Sequence, residues 1–195
     1  MEIKLVIFDA YGVVLTGGYP PTMKYLAKKF KRNWKELYAV IYTKYFNMAA
    51  ERKITQAKAW EKAVKELKLP ATWQEVRMIH YSLIGLNKPI ISFIKKIDTN
   101  ILLLSKNTRS QFHDSNKKLG FRKYFKNVLN TWELRLPKAS EKTCRYIFKK
   151  FNIKPDEVIY IDDKEQNLEA AKKLGVHTIL YKNFSQFKKE FYKVY

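Results

Sequence analysis

Four short runs in this chain are apolar at almost every position: Ile3–Asp9 (IKLVIFD), Asn100–Ser105 (NILLLS), Glu157–Asp163 (EVIYIDD) and Val176–Tyr181 (VHTILY). A strand with no polar alternation has no face to offer water, so such runs belong in a parallel sheet covered on both sides. Helical patterns fill the later gaps. Cys144, Ile147, Phe148 and Phe151 recur at one-face helical spacing, as do Leu168, Ala171 and Leu174, with Gly175 placed to end the second helix. This alternation predicts a doubly wound, Rossmann-like α/β domain.

After the first run the alternation stops. Residues 19 to 86 carry four helical stripes and no strand pattern. The first stripe is Met23, Leu26, Ala27 and Phe30, and the second Trp34, Leu37, Tyr38, Ile41 and Tyr45. The third is Trp60, Ala63, Val64 and Leu67, and the fourth Val76, Ile79, His80 and Leu83, opened by a Thr72–Glu75 capping box. Four such helices can bury their stripes against one another. The expected organisation is an α/β core of residues 1–16 and 87–195 with a four-helix insert at 17–86, hinged at Thr16-Gly17-Gly18 and Asn87-Lys88-Pro89.

With one cysteine in 195 residues, no internal disulfide can form, and a reducing, cytoplasmic setting is expected. No apolar run approaches the roughly 20 residues of a spanning helix, and Asp9 interrupts the one stretch that resembles a secretory segment. The formal net charge of +21 favours encounter with anionic molecules. It is spread as lysines along helix faces, without an arginine-rich block, zinc spacing or RNA-binding aromatic motif. A small anionic substrate is therefore the expected partner, rather than nucleic acid or membrane.

In open α/β sheets ligands bind beyond the carboxyl ends of the strands. Here those ends carry Asp9 with Tyr11 and Gly12, then Ser105-Lys106-Asn107, then Asp162-Asp163, and Lys138 precedes the Cys144 helix. Three carboxylates brought together repel unless a cation joins them, and Mg²⁺ is the hard divalent ion usual beside phosphate.

The order FDxxG, LLLSKN, Lys, IDDxxxN resembles the haloacid dehalogenase-like hydrolases, along the whole chain, with the helical insert where that superfamily carries its small cap. The resemblance implies Asp9 as a nucleophile that forms a covalent aspartyl intermediate. It implies Ser105, Lys106 and Asn107 around the transferring group, with Lys138 neutralising charge and holding Asp9. It implies Mg²⁺ ligated by Asp9, the main-chain carbonyl of Tyr11 and Asp163. Asp162 would stand beside them as a ligand or as support for one, and Asn167 would close the motif. The cap would exclude water during the first step.

One position departs from the phosphatase pattern. Where the second Asp of DxD protonates the leaving alkoxide, this chain has Tyr11, and general acid–base help of that kind is worth about 10²–10⁴-fold. A halide leaves without a proton, and DAYG looks like the first motif of the 2-haloacid dehalogenases. Asp162-Asp163, however, is similar to the metal motif of the phosphatases, whereas the dehalogenases work without Mg²⁺. The resemblance thus implies Mg²⁺-dependent phosphomonoester hydrolysis, with metal-free carbon–halogen cleavage or a weak binding protein on the same fold as the other readings. His80 and Cys144, on core-facing stripes, are expected to be packed rather than reactive, and His113 and His177 lack partners at metal spacing. The aromatics Trp34, Tyr38, Tyr42, Tyr45 and Trp60 are expected in the bundle core.

Overall fold

Each of the four apolar runs forms a parallel strand in the computed structural model, which describes residues 2–195. They are β1 (Leu5–Asp9), β4 (Asn100–Ser105), β6 (Val158–Asp162) and β7 (His177–Leu180). A fifth strand, β5 (Asn127–Asn130), was not marked by the pattern, because NVLN offers only two apolar residues between asparagines. The sheet order is β5-β4-β1-β6-β7, so the winding reverses at β1. Two short strands, β2 (Leu15–Thr16) and β3 (Gly85–Leu86), pair separately.

The chain divides into two compact units. The first comprises residues up to Val14 with Leu86–Lys106 and Phe121–Tyr195. Its strands alternate between two apolar layers. Leu5, Ile7, Leu102, Leu104, Val158 and Tyr160 pack with Cys144 and Ile147 of α9 (Glu141–Phe151) and Leu168 and Ala171 of α10 (Glu165–Lys173). On the alternate positions, Phe8 meets Phe187 of α11 (Phe184–Phe191), which in turn meets Phe93 of α6 (Lys88–Ile94). Period-two geometry therefore puts Asp9 and Asp162 on the side of β1 and β6 that faces α9 and α10. The short helix α8 (Thr131–Leu134) follows β5.

The second unit comprises Leu15–Gly85 and Asn107–Gly120. Its four rods follow the stripes. The first is α1 (Tyr19–Phe30), and the second runs through α2 (Trp34–Tyr38), a π-helical stretch (Ala39–Phe46) and α3 (Asn47–Ala50). The third and fourth are α4 (Gln56–Glu66) and α5 (Trp73–Ser82), the latter opened by the Thr72–Glu75 capping box. Tyr19 stands at the centre, its ring 4.5–5.8 Å from those of Tyr42, Phe46, Trp60 and His80.

The helix after β4, α7 (Arg109–Leu119), clusters with this unit, although the sequence pattern had left it in the α/β part. A buried hydrogen-bond chain explains why. Thr108 Oγ1 donates to Gln56 Oε1 (2.7 Å), and Gln56 Nε2 to the Tyr19 hydroxyl (3.5 Å). Tyr19 donates to Gln111 Oε1 (2.9 Å), whose amide reaches His80 Nε2 (3.2 Å). His80 Nδ1 meets Thr22 Oγ1 (3.0 Å), which spends its own proton on the Gly18 carbonyl (2.7 Å). That order fixes a neutral His80 with its proton on Nδ1. Arg77 pairs with Asp114, and Lys118 donates to the Tyr81 and Ile84 carbonyls, completing the attachment.

Trp34 corrects the expectation for the second stripe. It is 39% exposed at the start of its rod, while Leu37 and Ile41 are buried. Among the described residues no helix is long and apolar enough to cross a membrane.

Candidate active site

β1 and β6 are paired with Phe8 opposite Ile161, which sets their last residues, Asp9 and Asp162, side by side at the carboxyl edge. β4 runs along the other flank of β1, with Asp9 opposite Leu104 and Ser105 one residue further on. All three strand ends come from runs too apolar to accept water except at their tips. Lys138 lies just before α9 and is itself buried.

Its ammonium is the hub of the site. Lys138 Nζ donates to Asp9 Oδ1 and, at 2.6 Å, to Asp162 Oδ2. The Ala10 N–H also donates to Asp9 Oδ1 (2.7 Å), so two donors fix one oxygen of that carboxylate. Asp162 is saturated: the Tyr160 hydroxyl (3.2 Å) shares Oδ2, while the Lys164 N–H and the Asn167 amide (both 2.9 Å) bind Oδ1. Tyr160 reaches it because residues two apart on β6 share a face.

Asp163 is placed differently. Its Oδ1 is buried and makes no hydrogen bond among the described residues. Gly12, at φ +103°, leaves the space this carboxylate occupies, and a Cβ there would overlap the Asp163 carboxyl group. The glycine is thus required twice, for a left-handed backbone and for close approach. Ser105 Oγ is likewise buried without a partner. Lys106 beside it is exposed, and Tyr11 is half-buried. Asn107 is buried, and its Oδ1 accepts from the Thr108 N–H (2.9 Å).

The electrostatics follow from burial. Loss of water pushes Asp9 up to about 7, against the pull of Lys138, with Asp162 and Asp163 adding repulsion. Asp163 is also raised, by burial first and then by Asp162. Burial works to lower Lys138, but the charges of Asp9 and Asp162 outweigh it and hold the ammonium well above the ordinary lysine range. Lys138 is shared between Asp9 and Asp162. Asp9, Asp162 and Asp163 each bring a carboxylate oxygen within 4.8 Å of the others. This all-oxygen set, with one buried oxygen still unpartnered, suits a hard divalent cation.

The sequence pattern named Asp9, Tyr11, Ser105, Lys106, Asn107, Lys138, Asp162 and Asp163 as candidates, of which Asp9, Lys138, Asp162 and Asp163 stand together. It missed Tyr160, whose only signal is its position two residues before Asp162 on a strand that ends in the site. Cys144 lies in the sheet core, its thiol pushed up to about 11 by burial, and so offers no nucleophile.

The family model for haloacid dehalogenase-like hydrolases matches residues 18–181. Among solved structures, an enzyme of this family from Bacteroides thetaiotaomicron superposes with a TM-score of 0.77 at 18% identity, over 93% of this chain and 95% of that one. The same enzyme crystallised with magnesium and inorganic phosphate gives 0.73 at 18% identity, over 92% and 94%. The L-2-haloacid dehalogenase of Xanthobacter autotrophicus gives 0.66 at 15% identity, over 90% and 76%. At these identities the likeness carries the fold alone. No protein of curated function matches the sequence.

Proposed function

The chain belongs to the haloacid dehalogenase-like hydrolases, and we propose that it hydrolyses a small phosphomonoester with the help of Mg²⁺, Asp9 being the nucleophile. The observation that carries this reading is the Asp163 carboxylate, which has a buried oxygen without a partner among the described residues, while the Lys138 ammonium is bound to Asp9 and Asp162. Asp9 and Asp163 would hold the metal with the Tyr11 carbonyl, and Asp162 would serve by fixing Lys138. Bound there, Mg²⁺ would supply positive charge for the phosphoryl oxygens and relieve the repulsion between Asp9 and Asp163.

In the first step an Asp9 carboxylate oxygen attacks phosphorus, a P–O bond forms, and the ester P–O bond breaks with its electron pair on the leaving oxygen. Lys138 and the Ala10 N–H hold the carboxylate in place during that attack. Ser105 Oγ, buried and unpartnered, is set to donate to a phosphoryl oxygen. Water then attacks the phosphorus of the aspartyl phosphate, which releases phosphate and restores Asp9. Tyr11, in place of an acid, favours substrates whose leaving group needs no proton.

That same residue supports a second reading, carbon–halogen hydrolysis, in which Asp9 displaces halide from a 2-haloacid. The two separate in one pair of assays. Turnover of p-nitrophenyl phosphate that needs Mg²⁺, stops in EDTA and vanishes in Asp9→Asn is expected. Halide release from 2-chloropropionate without metal, with no phosphatase activity, would replace the first reading with the second.

A further inference from the structure

We infer that the corner formed by α1 and α2 is a docking surface for single-stranded nucleic acid. Between Ala10 and Lys35 the chain has no acidic residue, while Lys24, Lys28, Lys29, Lys31, Arg32 and Lys35 fall within twelve positions and are all exposed. Helical spacing gathers them into a strip. Lys24 and Lys28 form one row of α1, and Tyr25 and Lys29 form the next, each pair about 6 Å apart along the axis. Two neighbouring carboxylates are already engaged: Glu36 pairs with Arg32 (3.1 Å), and Glu75, within electrostatic reach of Lys29, is held in its capping box.

Charge alone would suit any polyanion. The feature that narrows the partner is aromatic. Tyr25 is 47% and Trp34 39% exposed, and Lys24 Nζ lies 5.7 Å from the centroid of the Trp34 ring. The sequence pattern assigned Trp34 to the bundle core and so left the lysines without aromatic company. The structure turns it outward among them. Cations for phosphates and exposed aromatic side chains on which unpaired bases can stack are what a single strand needs, whereas a duplex hides its base faces. Insertion into a membrane would need an exposed apolar face, and Met23, Leu26 and Leu37 are buried within the unit.

The test is binding of the full chain to a labelled single-stranded oligonucleotide of about 20 residues, followed by anisotropy over a salt series. The comparison arms are its duplex, inorganic polyphosphate, and phosphatidylserine vesicles. The single strand should bind best. Lys28→Glu with Lys31→Glu should weaken it at least tenfold and flatten the log–log salt slope by about 1.4, two contacts at about 0.7 each. Trp34→Ala should weaken the single strand about tenfold and leave polyphosphate unchanged. Lys149→Glu with Lys150→Glu, the same charge change on exposed positions of α9, should alter binding less than twofold. Should that double variant fold poorly, Lys24→Gln with Trp34→Ala should weaken the single strand at least tenfold and flatten the slope by about 0.7, one contact. The inference is overturned if the α9 control loses as much, if polyphosphate binds as well and Trp34→Ala changes nothing, or if only vesicles bind.

Discussion

Replacing Lys138 with methionine keeps an unbranched side chain one atom shorter and removes the ammonium that binds Asp9 and Asp162. Lys138, Asp9 and Asp162 are all buried, with side-chain exposures of 2%, 9% and 0%. Breaking a buried ion pair by removing one partner costs about 3–5 kcal/mol. For a chain of this size each kcal/mol lowers the melting temperature by about 2–4 °C, so a fall of roughly 6–20 °C is expected at pH 8.

The pH dependence identifies the cause. Asp9 in the folded protein is already pushed up to about 7 by burial, against the pull of Lys138. Without Lys138 that pull is gone and its folded value rises further. A raised folded pKa means that folding takes up a proton, so stability is full at low pH and is lost as pH rises through the folded value. In the parent this loss levels off just above pH 7. In the variant it continues at about 1.4 kcal/mol per pH unit, and the gap between the two should widen from pH 7 to 9. Thermal melts of both metal-free proteins across that range make the measurement. A variant that melts within about 2 °C of the parent, or a gap that stays constant with pH, would refute the reasoning.

Gly12→Ala should both strain the backbone and collide with Asp163, so a loss of about 1–3 kcal/mol by thermal melting is expected, together with loss of metal-dependent turnover. An unchanged melt would mean that the turn relaxes freely. His80 is pushed down to about 3 by burial, so folding releases a proton whenever the unfolded histidine is charged. Its contribution is complete above about pH 6.5 and declines by about 1.4 kcal/mol per pH unit as pH falls towards the folded value. The His80 ring resonances should stay unchanged by NMR between about pH 4 and 7. A midpoint near 6 would show that the hydrogen-bond chain through Gln111 and Thr22 is not as described.

The strand ends were readable because a buried parallel strand is apolar throughout and its polar tip stands out, as Asp9, Ser105 and Asp162 do. Grouping them required only the rule that such tips share one edge. Other features depend on partners distant in sequence. Nothing in YIDD distinguishes the saturated Asp162 from Asp163, whose Oδ1 has no partner among the described residues. That follows from Lys138, Tyr160 and Asn167 converging on the first, and from Gly12 making room for the second. Trp34 fits a helical stripe equally well as core or surface, and its exposure is set by where the rod begins. The placement of α7 rests on Gln111 and Asp114, polar residues that read as solvent-facing until Tyr19, His80 and Arg77 are seen around them.

That placement bears on any attempt to exchange modules. The chain passes between its two units at four points, not two, the third falling between Lys106 and Asn107. A chimera that swapped only the segment between Val14 and Leu86 would orphan α7, leaving Gln111 without its tyrosine and histidine and Asp114 without its arginine. Transplanting the helical unit intact therefore means moving two separate pieces of sequence, the second of them only fourteen residues long.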